Sequence, residues 1–343
     1  MKLTKLAMNL ALPVFLAGGA TIASAQDSVT LRMTDPYPTT NILSKLASQR
    51  FKDLVEERTG GSVTIQHFPA GQLTDAAGVL DAVKSGVVDM GIFVPSRVAS
   101  TPLTTVVEVP GLYVDAVDGA NALQSLLKNE LAEEYAANKV KPLFGAVSAP
   151  YQLLMGDGFP TDTISDMSDL SGRKLQVTGA TGELTVDALG ATPVRIPSAD
   201  RYVALERGTV DGAIYSTSGA LGNGLERVLK ATTVNGSFGS VSNVMVIRQD
   251  VWDRLSDDAK GAIQEVSDQL STEVSAEFQK ANEADTAKLE EAGMTLIELS
   301  PEVQDQFAGE LTAVQDAWVA QMTDRGLPAE DTLAAFKGYL GNQ

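Results

Sequence analysis

The hydrophobic pattern divides the first third of the chain into alternating strands and helices. Strands are predicted over residues 29–33 and 63–68, where apolar and polar positions alternate, and over the apolar run 87–93. Apolar residues at steps of three and four predict helices between them, beginning at Asn41 and Thr74. This order is typical of a parallel sheet with crossover helices.

The same order returns in the second third. Strands are predicted over residues 174–177, 193–196 and 210–214, with helices over 181–189 and 198–205 between them. We therefore predict two similar α/β lobes rather than an array of short tandem repeats.

The last third is helical. Ser256 can cap a helix that continues to Gly293, about 35 residues or roughly 50 Å long. A helix longer than one lobe must cross between the lobes or lie along both. Two more amphipathic helices are predicted near residues 302–325 and 329–340.

The first 25 residues have the pattern of a secretory signal peptide. Lys2 and Lys5 precede an apolar run, and Ala23 and Ala25 form a small-residue cleavage site. We expect cleavage before Gln26, export, and no membrane insertion of the mature chain. The alternative is an N-terminal membrane anchor.

Composition excludes several classes of chemistry. The 343 residues contain no cysteine and one histidine, His67, so disulfides and His/Cys zinc sites are not available. A net charge of −18 argues against nucleic acid and anionic lipid as partners. No cofactor is predicted.

Enzyme motifs are weak. Residues 125–128 match S-x-x-K without its companion motifs, and Gly222-Asn223-Gly224 lacks the setting of a dinucleotide loop. No nucleophile, base and orienting group occur together, so we predict a protein without enzymatic activity. An exported two-lobe α/β hydrolase remains an alternative.

The loops after the predicted strands have the residues of a small-molecule site. Ligands of open α/β sheets bind at the carboxyl ends of strands, in pockets that combine aromatic walls with a few polar groups. From these loops and their flanks we predict twelve ligand-binding residues: Asp35, Tyr37, Phe93, Ser96, Arg97, Tyr151, Gln176, Thr178, Glu183, Tyr215, Ser216 and Ser218.

Four stretches, in order, resemble the DctP-type solute-binding proteins of TRAP transporters. Residues 200–212 resemble the signature Y-x-A-L-x-x-G-x-V-D-G, and residues 68–73 resemble F-P-x-G-Q-L. Residues 88–91 resemble V-D-M-G, and residues 169–175 with 189–194 resemble D-L-x-G-x-K-I and L-G-A-x-P-V. The similarity extends from about Val29 to about Leu270.

The resemblance implies a two-lobe α/β fold of the Venus-flytrap, type II-like class, with a lobe-spanning helix and C-terminal helices. Lobe I is then residues 26–148 plus 234–275, and lobe II is residues 149–233 plus 276–343. Hinge closure is expected near residues 146–150 and 231–236 and along the long helix.

The resemblance also implies a monomeric periplasmic receptor for a small molecule. Its partners would be the membrane permease subunits of a TRAP transporter. A sensor component that binds the same ligand remains an alternative, because the sequence does not distinguish the two.

The ligand class stays open at this point. Family members usually have a carboxylate-binding arginine where this chain has Gln176, and an amide cannot replace a guanidinium. In one hypothesis the ligand is an acid held by Arg97, Arg195 or Arg201, of which Arg97 is favoured because Arg201 lies on a helix face that could be solvated. In the other hypothesis the ligand is neutral or bears an amine. Gln176, Ser216 and Ser218 would then hydrogen-bond it, and Tyr37, Tyr151 and Tyr215 would form the walls of its site. Asp35 or Glu183 would face the positive charge of an amine.

Overall fold

The structure is a computed structural model that describes residues 28–159, 163–177, 179–196 and 200–341. The predicted signal peptide and the predicted site residue Thr178 lie outside this part of the chain.

The first sheet has five strands in the order β2-β1-β3-β10-β4. The first three strands are parallel and β10 is antiparallel to both of its neighbours. The parallel part agrees with the sequence prediction, and β10 joins the sheet from a distant segment. The strands are β1 Val29–Thr34, β2 Val63–Phe68, β3 Met90–Phe93, β4 Val140–Val147 and β10 Ser242–Arg248.

The second sheet has six strands in the order β11-β9-β5-β8-β6-β7. Strand β6 pairs in parallel with β7 and β8, while β5 is antiparallel to β8 and β9. The strands are β5 Gln152–Met155, β6 Lys174–Val177, β7 Thr192–Arg195, β8 Gly212–Tyr215, β9 Ala231–Thr233 and β11 Thr295–Ile297.

Helices cover both sheets, and a π-helical segment, Ser44–Gln49, leads into the first of them. They are α1 Arg50–Arg58, α2 Val79–Ser85, α3 Ala116–Lys128, α4 Ala132–Ala137, α5 Ala180–Ala188, α6 Arg201–Glu206, α7 Thr217–Gly222, α8 Gln249–Arg254, α9 Asp257–Glu291, α10 Pro301–Thr323 and α11 Ala329–Leu340.

The two sheets are joined by two crossing segments that run side by side. One leads from β4 to β5 and the other from β9 to β10. Tyr151 N donates to Gly239 O at 2.7 Å, and Phe238 N donates back to Tyr151 O at 3.2 Å. Ser148 N donates to Val241 O at 3.0 Å, and Val241 N donates back to the Ser148 hydroxyl at 3.1 Å. These paired segments connect the two lobes and adjoin residues 146–150 and 231–236, where the resemblance predicts the hinge.

Gln152 lies where the crossing segments enter the second sheet, and its buried amide binds both of them. Its Nε2 donates to Pro150 O at 3.1 Å and Gly236 O at 2.9 Å. Its Oε1 accepts from Thr233 Oγ1 and Gly236 N, both at 2.9 Å. One side chain therefore fixes the geometry of the crossing.

Helix α9 confirms the predicted long helix, with 35 residues and a capping bond from Ala259 N to Ser256 Oγ. Its first half packs against the first sheet through Ile263, Val266 and Leu270. Near its other end, Asn282 Oδ1 accepts a bond of 2.8 Å from Thr217 on α7 of the second lobe. The helix therefore spans both lobes.

Helix α10 crosses as well, which the sequence prediction did not include. Phe307 and Leu311 pack in the core of the second lobe, whereas Trp318 and Met322 pack in the core of the first. Helix α11 follows into that first-lobe core and contacts α3. The predicted division, which places residues 276–343 with lobe II, therefore differs from the structure for the end of α10 and for α11.

No helix in the described part of the chain is long and apolar enough to span a membrane.

Candidate functional site

A cavity of about 370 Å³ opens between the two lobes. This volume is within the usual range of small-molecule sites, about 300–1,000 Å³. Its wall is formed by the loop after β3 with the segment that follows it, the ends of β6 and β8, the start of α5, the crossing segments, and the end of α10.

The first-lobe wall contains the cation of the cavity. Arg97 follows β3 in a short 3₁₀ turn and is exposed, as is its neighbour Ser96. Among the described residues we find no carboxylate ion-paired with Arg97. Since β3 is fully buried, its end holds the backbone of this turn at the cavity while the guanidinium stays accessible.

Glu108 is a buried carboxylate in the same wall. Its Oε1 accepts from Ser242 N at 3.1 Å and Ser242 Oγ at 2.8 Å. Burial raises the pKa of Glu108, and hydrogen bonding to Ser96 and Ser242 and the charge of Arg97 act in the opposite direction. Glu108 is therefore buried and bonded within the fold, and Arg97 is the solvent-accessible charge of this wall.

The second-lobe wall includes the start of α5. Gly179 precedes this helix with φ +87°, a conformation that glycine adopts without strain, and among the described residues no side chain caps the helix. Gly179, Thr181 and Gly182 line the cavity. Uncapped N–H groups and the helix dipole give this wall a partial positive charge that favours an anion.

The remaining wall is aromatic. Tyr151 and Phe238 come from the crossing segments, and Trp318 comes from α10. Burial raises the pKa of Tyr151 far above its usual value, so this phenol is neutral at physiological pH. Trp318 Nε1 donates to Thr105 Oγ1 at 2.9 Å, which fixes the indole. These surfaces suit a planar or apolar part of a ligand.

Of the eleven predicted site residues that the structure describes, three line the cavity: Ser96, Arg97 and Tyr151. Asp35 is fully buried, where Tyr37 N donates to it at 2.8 Å and His67 Nε2 lies 3.3 Å away. Phe93 is fully buried in the core of the first lobe. The structure therefore differs from the prediction for Asp35 and Phe93, because local partners and core packing occupy these side chains.

The other predicted residues lie around the cavity rather than in its wall. Tyr37 donates to Asn243 at 2.9 Å, and Glu183 forms an ion pair with Arg195. Ser216 caps α7, and Ser218 follows it on that helix. Gln176 and Tyr215 lie on the side of the second sheet that packs against α6 and α7.

The three arginines considered as replacements occupy different environments. Arg97 is in the cavity wall, and Arg195 is exposed and bonded through two nitrogens to Glu183 at 2.8 and 2.7 Å. Arg201 is only 1% exposed, which corrects the expectation that its helix face could be solvated. Its side chain turns inward because Gln176 and Tyr215 provide partners there.

Sequence reasoning missed Glu108, Phe238 and Trp318. They come from a 3₁₀ segment, a crossing segment and the end of a helix predicted only as amphipathic. The available signal for Phe238 was its position two residues after the predicted hinge segment 231–236. No group of acidic or histidine side chains that could hold a metal is found in the described part of the chain.

A family model and a curated relative both match most of the chain, and both are solute-binding proteins. Residues 37–321 match the family model of bacterial extracellular solute-binding protein, family 7. The chain is 26% identical over 300 residues to the C4-dicarboxylate-binding periplasmic protein DctP of Rhodobacter capsulatus, covering 84% of each protein.

Solved structures share the fold. A TRAP periplasmic solute-binding protein from Desulfovibrio salexigens, in an open complex, superimposes with a TM-score of 0.81 at 20% identity, covering 91% of this chain and 96% of that one. A marine metagenome TRAP solute-binding protein specific for aromatic acids, in complex with 3-hydroxybenzoate, gives a TM-score of 0.78 at 20% identity, covering 92% and 98%.

Proposed function

This chain belongs to the bacterial extracellular solute-binding proteins of family 7, and we propose that it binds a small organic acid in the cavity between its lobes. Members of this family are TRAP-type periplasmic receptors rather than enzymes. The observation that carries the proposal is Arg97, an accessible guanidinium in the wall of an interlobe cavity.

The charges around the cavity support an acid. Arg97 faces the cavity from the first lobe, and the start of α5 faces it from the second. A carboxylate between them would accept charge-assisted hydrogen bonds from the guanidinium and hydrogen bonds from backbone N–H groups. Closure would add the second set of contacts, so the acid would favour the closed state.

The aromatic wall supports a ligand with an apolar or planar body. Tyr151, Phe238 and Trp318 offer ring surfaces opposite the charged groups. Two relatives bind acids by their names, one a C4-dicarboxylate and one aromatic acids. The neutral or amine hypothesis has less support, because Gln176, Ser216 and Asp35 have partners within the fold.

We further propose that the loaded receptor acts in the periplasm as a monomer and delivers the acid to membrane permease subunits. The family relationship supports this role. A sensor role would use the same cavity and is distinguished by whether permease genes accompany the receptor gene.

A matched ligand series tests the acid proposal. Titration calorimetry compares 3-hydroxybenzoate, 3-hydroxybenzamide and 3-hydroxybenzylamine, and succinate with succinamide. We expect one of the acids to bind and its uncharged analogue to bind at least about tenfold more weakly. The substitution Arg97→Met should remove most of that preference, while the exposed Arg195→Met should retain it. Binding of the amide or the amine in preference to both acids would contradict the proposal.

A further inference from the structure

Gln176 is a fully buried amide at the end of β6. Its Nε2 donates to Ile196 O at 2.9 Å and to Val177 O at 3.0 Å. Its Oε1 accepts from Arg201 Nε at 2.6 Å, a short, charge-assisted bond. Because both ends of the amide are engaged, its orientation is fixed and it holds Arg201 in one place.

The guanidinium of Arg201 lies flat against an aromatic ring. Its central carbon is 3.8 Å from the ring centroid of Tyr215. Gly219 contacts the same ring, and a β-carbon at that position would collide with it. The Tyr215 ring is therefore clamped by Gly219 and Arg201, and the guanidinium has both a hydrogen-bond acceptor and a stacking partner.

The clamped ring adjoins the ligand cavity. The ring centroids of Tyr215 and Tyr151 are 5.9 Å apart, and Tyr151 lines the cavity. The chain neighbours of the clamp, Val177 after Gln176 and Ile214 before Tyr215, line the cavity too. Arg201 thus packs on the chain neighbours of Val177 and Ile214, behind the part of the second-lobe wall that these two residues form.

We propose that Arg201 is the second lobe's specificity-determining cation for the acid and that Gln176 is its positioning residue. This inference rests on the proposed function. A buried charge is screened less than an exposed one, so Arg201 favours an anion in the cavity without being exposed to solvent. On closure the acid lies between Arg97 from one lobe and the field of Arg201 from the other.

Three arginine substitutions test the inference with the same acid and amide pair. We expect Arg201→Met to weaken acid binding about tenfold and to change amide binding less than about twofold. Arg201→Lys keeps the charge and should recover most of the acid preference. Arg195→Met removes a guanidinium from an exposed site of the same lobe and should change neither affinity. Equal losses for acid and amide in Arg201→Met would show a purely structural role and would overturn the inference.

A second variant covers the case in which Arg201→Met does not fold. Gln176→Glu keeps an acceptor for Arg201 Nε and places a carboxylate against the guanidinium, but it loses the donor to Val177 O and Ile196 O. We expect a folded but less stable protein that binds the acid about tenfold more weakly and the amide within about twofold of wild type, because the added carboxylate offsets the charge of Arg201. Unchanged acid affinity in Gln176→Glu would refute the inference even if Arg97→Met abolishes binding. If wild-type protein does not prefer the acid, the proposed function itself fails.

Discussion

The substitution Gln152→Leu tests whether one amide fixes the crossing between the lobes. Leucine has a similar volume but can form none of the four hydrogen bonds of the Gln152 side chain, which extend over 2.9–3.1 Å. The change leaves Gly236 N–H and the carbonyls of Pro150 and Gly236 without this partner in a buried region. A buried polar group left unsatisfied costs about 1–3 kcal/mol.

Thr233 reduces that cost, because its hydroxyl already accepts from Leu153 N and its proton can turn to another acceptor. Because the Gly236 N–H and the two carbonyls are left unsatisfied, the substitution should lower the free energy of unfolding by about 3–5 kcal/mol. This loss places Gln152→Leu among the most destabilising single substitutions that a fold tolerates.

Urea unfolding followed by circular dichroism measures this loss against a matched control. Gln264 on α9 forms one exposed hydrogen bond, to Asp268 at 3.1 Å. The substitution Gln264→Leu should therefore cost less than about 0.5 kcal/mol. If Gln152→Leu costs less than about 1 kcal/mol, the crossing does not depend on this amide and the reasoning is wrong.

Three further substitutions follow from the buried groups. Burial raises the pKa of Glu108 above 4.5, so the charged form of this side chain destabilises the fold once the pH exceeds that value. The substitution Glu108→Gln should therefore raise the thermal midpoint at pH 8 and leave it unchanged at pH 4. Burial acts to raise the pKa of Asp35, but contacts that include those with His67 and Tyr37 N–H lower this pKa below 3.8. The carboxylate therefore stabilises the fold above about pH 4, and this contribution is lost on acidification. Asp35→Asn should cost about 2 kcal/mol at pH 7 and less at pH 3, as measured by urea unfolding. Gly219→Ala should cost about 1–3 kcal/mol by displacing the Tyr215 ring, whereas Gly222→Ala on the same helix meets no atom within 4 Å and should cost nothing.

The sequence predicted elements whose signals are local. Helix α9 was predicted almost to the residue, because Ser256 caps its start and Gly293 follows its end. Among the parallel strands, β1 and β2 were predicted from alternation and β3 from its apolar run.

Elements defined by distant contacts were not predictable in this way. Strand β10 is an apolar run that does not reveal which sheet it joins, and it inserts antiparallel between β3 and β4. Helix α10 has one amphipathic pattern along its length but packs on two different cores.

The candidate site was predictable where a residue ends a strand and faces outward, as Arg97 does. Gln176 and Arg201 show why the rest was not. The sequence placed Gln176 at a strand end and Arg201 on a helix face, but their bond joins β6 to α6 across 25 residues. Only the folded structure shows that Gln176, the polar residue of the apolar strand β6, binds Arg201.

The most direct test of the central claim is a crystal structure of the protein with the acid of the series that binds best. We predict a closed form in which the ligand carboxylate lies about 2.7–2.9 Å from the guanidinium nitrogens of Arg97. The body of the ligand should lie against Tyr151 and Trp318. A carboxylate that points to solvent, or a ligand bound outside the interlobe cavity, would contradict the account.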